Sequence, residues 1–102
     1  MLKLQDKFSY IKELLNDKYC YVKEECGGFY YNREVLRLFK NTDMSYHANS
    51  YYDMPIYSVL NLIEDHNTIQ EVREWLHNEY LSCYADSWYY NFIDILERIK
   101  ID

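Results

Sequence analysis

The chain has 102 residues, 49% of them apolar, and 17 acidic against 11 Lys and Arg side chains give a formal net charge of −6. This composition excludes a disordered acidic tail and suits one domain over residues 1–102 with a single modest core. No apolar run reaches the roughly 20 residues of a membrane-spanning helix, and Met1–Asp6 lacks the apolar stretch of a signal peptide. Cys20, Cys26 and Cys83 are odd in number and have no CxxC spacing, which argues against a disulfide framework and for reduced thiols in a cytoplasm.

In chain order, Leu4, Phe8, Ile11 and Leu15, widened by Leu14, recur at spacings of three and four and predict a first helix. Lys3, Lys7, Lys12 and Glu13 fall on its other faces, and Asn16-Asp17 ends it. Residues 19–25 alternate as a strand would, and Gly27-Gly28 suits a two-residue hairpin turn. That turn sets Val22 opposite Arg33 and Glu24 opposite Tyr31, with Val22, Phe29 and Tyr31 on the core side. Residues 33–40 read as a short helix capped by Asn32, with a longer second strand as the alternative. Residues 41–53 form a polar connection containing three tyrosines.

Pro55 suits the first turn of a further helix, whose stripe is Ile56, Val59, Leu60 and Ile63. Thr68-Ile69-Gln70-Glu71 is a capping box opening the next, with Ile69, Val72, Leu76 and Tyr80 facing inward and Glu71, Glu74 and Asn78 outward. The last helix is placed from about Asp86-Ser87, with Tyr89, Phe92, Ile93, Leu96 and Ile99 along one face. Trp88 and Ile95 lie off that face, and Asp94 and Arg98 form an i,i+4 pair. The predicted class is therefore α+β, mainly helical with four to five helices and one small antiparallel hairpin near residues 19–32.

Charge is distributed unevenly along this framework. Asn41–Glu97 contains ten acids and one base, Arg73, whereas the first forty residues hold six acids and eight bases. Eight of the thirteen tyrosines also fall in the acidic stretch. Solubility and an AT-rich genetic code account for some of this, but ordinary surfaces mix both signs. An acidic surface carrying aromatic groups with polar tips suits a basic protein partner.

Other chemistries find less support. His47, His66 and His77 are far apart and no His/Cys pair has a metal-ligand spacing, so neither metal nor cofactor is expected. Glu24 and Glu25 next to Cys26 disfavour a reactive thiolate. The carboxylate pairs fall on polar helix faces or a hairpin end, and no phosphate loop or nucleophile elbow occurs. The chain does not read as an enzyme. Direct nucleic-acid binding needs Lys and Arg to neutralise phosphates, which the tyrosine-rich half lacks.

In size, acidity, aromatic content and codon bias, the chain resembles small phage-encoded inhibitors such as anti-CRISPR proteins and other DNA mimics. That resemblance implies an inhibitor occupying a basic, nucleic-acid-binding site on a larger protein, in the bacterial host cytoplasm if phage-encoded. The candidate partner-binding residues are Tyr46, Tyr51, Tyr52, Asp53, Glu64, Asp65, Glu71 and Glu74. Replacing Glu71 and Glu74 together by lysine is expected to leave folding nearly unchanged. Alternatives are an immunity protein or antitoxin against a basic nuclease toxin, and a non-inhibitory structural protein; homodimerisation stays open.

Overall fold

The computed structural model describes residues 2–17, 21–23, 30–40, 56–81 and 83–101. Its helices are α1 (Leu4–Asn16), α2 (Arg33–Lys40), α3 (Ile56–Asp65), α4 (Ile69–Tyr80) and α5 (Cys83–Arg98). Two three-residue strands, β1 (Tyr21–Lys23) and β2 (Tyr30–Asn32), pair antiparallel between α1 and α2.

The apolar stripes explain why the helices assemble. Phe8, Ile11 and Leu15 of α1 are buried with Val59, Leu60 and Ile63 of α3, Val72 and Leu76 of α4, and Phe92, Ile95 and Leu96 of α5. Val35 and Phe39 of α2 complete the same cluster, and Phe8 meets Phe92 edge-on with ring centroids 6.3 Å apart. Each fully buried side chain of this kind contributes roughly 1.5–3 kcal/mol relative to exposure. Ile95, off the predicted stripe, is buried, whereas Ile93 is only partly so, because α5 is covered from two sides.

The α+β expectation is corrected: this is an all-α fold. Every buried apolar residue described lies in a helix, except Ile99 just beyond α5. The strand pairing described is limited to Tyr21–Lys23 and Tyr30–Asn32. Their pairing also departs from the predicted register, since Val22 faces Tyr31 and Tyr21 faces Asn32. Asn32, at the end of β2, is buried and caps α2. Its Oδ1 accepts from the Glu34 and Val35 N–H groups at 2.8 and 3.4 Å, while its Nδ2 donates to the Leu14 carbonyl. Arg33 is thereby the first residue of α2 and is lost to strand pairing. The Gly27-Gly28 turn, and the burial expected of Val22, Phe29 and Tyr31, lie outside the residues and side chains described.

Polar side chains of α1 tie the helix ends together. Lys12 Nζ donates to the carbonyls of Ile63, Glu64 and His66 at 3.3, 2.8 and 2.8 Å, closing the C-terminus of α3. Lys7 Nζ serves α5 in the same way, reaching Leu96, Glu97 and Ile99 at 3.4, 3.2 and 2.8 Å. Helix C-termini leave carbonyls without intrahelical partners and carry partial negative charge, so an ammonium group is favoured there. Gln5 brackets the α3–α4 turn, accepting from the Ile69 N–H at 3.0 Å and donating to the Asn67 carbonyl at 3.3 Å. Together these bonds fix the end of α3 against the start of α4, where the acidic residues sit.

Candidate functional site

Glu64 and Asp65 close α3 and Glu71 and Glu74 occupy the first turns of α4; all four side chains are exposed. Glu79 and Asp86 on α4 and α5 are exposed as well. Among the described residues, no Lys or Arg forms an ion pair with any of these six carboxylates; the pairs present are Glu34–Arg37 and Asp94–Arg98. Arg73, the single base of the acidic stretch, lies over the Tyr89 ring with its guanidinium carbon 5.2 Å from the centroid. The Lys12 ammonium is engaged with backbone carbonyls on the α1 side.

The thread of the chain places an aromatic groove beside these acids. His66 follows α3 directly, and its Nδ1–H donates to the Leu62 carbonyl at 2.9 Å, which fixes the ring. The ring meets Trp75 edge-on at 5.7 Å, Trp75 meets Tyr80 at 6.4 Å and 83°, and Tyr80 meets Trp88 at 4.7 Å and 52°. Tyr80 is the last residue of α4, and Leu81 turns the chain with φ 47° and ψ 32°, its N–H donating to the His77 carbonyl at 2.9 Å. That left-handed position usually holds glycine, and leucine there costs roughly 1–2 kcal/mol. The reversal lays α5 against α4, the most extensive helix contact among the described residues, and brings Trp88 to Tyr80.

The resulting groove has a volume of about 520 Å³ and is lined by Ser58, Asn61, Leu62, Asp65, His66, Trp75, Tyr80 and Trp88. Trp75 is 40% and Tyr80 37% exposed, so neither is a core residue. For Tyr80 this corrects the sequence expectation, which set it on the buried stripe of α4. Leu81, 75% exposed, adds apolar surface next to it. Across α4, a second groove is lined by Gln70, Arg73, Glu74, His77, Asn78, Ala85, Asp86 and Tyr89.

The predicted site residues are thus distributed. Tyr46, Tyr51, Tyr52 and Asp53 lie outside the described residues. Asp65 lines the aromatic groove and Glu74 the polar one, so these two acids face different recesses. Glu71 helps to hold the fold. Thr68 Oγ1 accepts from the Glu71 N–H at 3.1 Å, and Glu71 Oε2 accepts from the Asn67 N–H at 2.8 Å. This is a reciprocal cap on α4, so lysine at position 71 would remove a cap, contrary to the expectation of unchanged folding. Trp75, Tyr80 and Trp88 do not stand out in the sequence as site residues. The one signal there is that neither tryptophan falls on an apolar stripe.

His66 and His77 line separate grooves, and among the described residues no three His, Cys, Asp or Glu side chains converge as a metal site would require. Cys83 is exposed and free at the start of α5. Among the described residues, no helix is long and apolar enough to cross a membrane. No protein-family model, curated protein or solved structure matches the chain.

Proposed function

We propose that this protein is an acidic, protein-binding inhibitor that occupies a basic, nucleic-acid-binding site on a larger protein. The observation that carries the reading is the α3–α4 edge, where exposed carboxylates with no Lys or Arg ion-pair partner among the described residues adjoin a groove walled by aromatic rings, of which Trp75 and Tyr80 are exposed. Carboxylates on this edge stand where phosphates would sit on the partner's natural ligand. Their field speeds encounter and sets orientation, while the rings supply rigid contact area at low entropic cost.

The test is affinity capture from extract of the native host cell on immobilised wild type and on a Glu64→Lys/Glu74→Lys variant, with and without duplex DNA as competitor. The expected result is a basic nucleic-acid-binding protein held by wild type, released by the duplex and absent from the variant. Identical captured proteins on both, unmoved by DNA, would overturn the reading.

A further inference from the structure

We propose that the α3–α4–α5 groove is a receptor for one arginine side chain of the protein partner, with Trp75, Tyr80 and Trp88 as aromatic walls and Asp65 as the counter-charge. The proposal rests on the protein-binding reading above and assigns the anchor of that same face.

The second groove of the molecule shows the chemistry. There Arg73 lies over the Tyr89 ring in a recess that Glu74 and Asp86 also line without forming an ion pair with it, so this chain already seats a guanidinium on an aromatic face near carboxylates. The aromatic groove has the rings and a carboxylate, yet among the described residues neither Lys nor Arg lines it. Its rings meet at steep angles, 83° for Trp75 on Tyr80 and 52° for Tyr80 on Trp88, so they form walls in place of a flat stack. Electron-rich ring faces attract a cation held over them, and tryptophan does so best.

An apolar side chain in the same groove would cover Asp65 without supplying a counter-charge, a costly arrangement. Arginine is favoured over lysine because its planar guanidinium stacks on rings while its N–H fork meets a carboxylate, and because it sheds water more readily. The groove volume of about 520 Å³ falls among small-ligand sites of roughly 300–1,000 Å³.

The chain contains two tryptophans, and both line this groove, so intrinsic fluorescence reports on it directly. The probes are capped Gly-Arg-Gly, Gly-Lys-Gly and Gly-citrulline-Gly peptides titrated onto the full chain at low salt. Arginine peptide should give a saturable fluorescence change, with citrulline, which keeps the shape but lacks the charge, binding about tenfold more weakly. Lysine peptide should fall between them. Asp65→Asn, an exposed near-isosteric change, and Trp75→Ala should each weaken arginine binding by about tenfold. The first keeps both reporters and the second retains Trp88. Glu97→Gln, on an exposed residue outside the groove, should bind as wild type.

Equal binding of the arginine and citrulline peptides would overturn the proposal, as would wild-type affinity in the Asp65→Asn protein. If the peptides bind alike while capture of a basic protein still depends on Glu64 and Glu74, the arginine receptor fails and the inhibitor reading stands. If capture is also unchanged, both fail.

Discussion

Lys12→Met keeps the aliphatic stem of the side chain and deletes the ammonium that closes α3. All three donors of that ammonium are used, on Ile63, Glu64 and His66 carbonyls at 3.3, 2.8 and 2.8 Å. A hydrogen bond from a charged donor contributes about 1.5–3 kcal/mol, and a cation at a helix C-terminus about 0.3–1 kcal/mol. The site is partly exposed, so water takes over some of the lost bonding and the expected net cost is about 2 kcal/mol. For a domain near 100 residues this lowers Tm by about 8–16 °C, read by far-UV circular dichroism. Lys100→Met is the control, because Lys100 is exposed and should cost under about 0.5 kcal/mol. A Lys12→Met protein that melts together with the Lys100→Met control would refute the capping role.

Asn32→Ala removes the α2 cap and the bond to Leu14 from a buried position, and should cost about 2–3 kcal/mol by urea denaturation. Leu81→Gly should raise stability by about 1 kcal/mol by relieving the left-handed leucine; a lower urea midpoint would contradict this. Glu71→Ala should cost about 1 kcal/mol through the cap. Glu74→Ala, losing only an exposed 3.2 Å bond to Gln70, should stay within about 0.5 kcal/mol of wild type. Equal effects of these two alanines would remove the distinction between a capping and a surface acid.

The local rules of the sequence are legible where a few neighbouring residues decide the outcome. Phe8, Ile11 and Leu15 are buried at their helical spacing, Thr68 and Glu71 form the α4 cap, and Asp94 pairs with Arg98 at 3.2 Å. Asn32 is readable as a cap, but its second bond, to Leu14, joins residues on separate elements. Alternation over residues 19–25 suggests a strand, and of the two readings of residues 33–40 the helix is the one formed, since α2 begins at Arg33. Lys7 and Lys12 look like solvated charges in the sequence because the carbonyls they meet are 51 to 92 residues away. Trp75, Tyr80 and Trp88 are illegible as a site for the same reason. Their convergence is set by the Leu81 reversal and by Gln5 and Lys12 holding the α3–α4 junction, none of which leaves a periodic trace.

Salt dependence of affinity for the captured partner, compared between wild type and Glu64→Lys/Glu74→Lys, tests the acidic edge most directly. Both residues are exposed and neither belongs to the α4 cap, so binding is perturbed while the fold is kept. Exposed charges are screened beyond about 8–10 Å at physiological ionic strength, so wild-type affinity should fall steadily as salt rises through that range. At low salt the variant should bind about tenfold or more weakly, with a slower on-rate. Affinity that is flat in salt and equal for the two proteins would contradict the account and leave the acidic edge without a part in recognition.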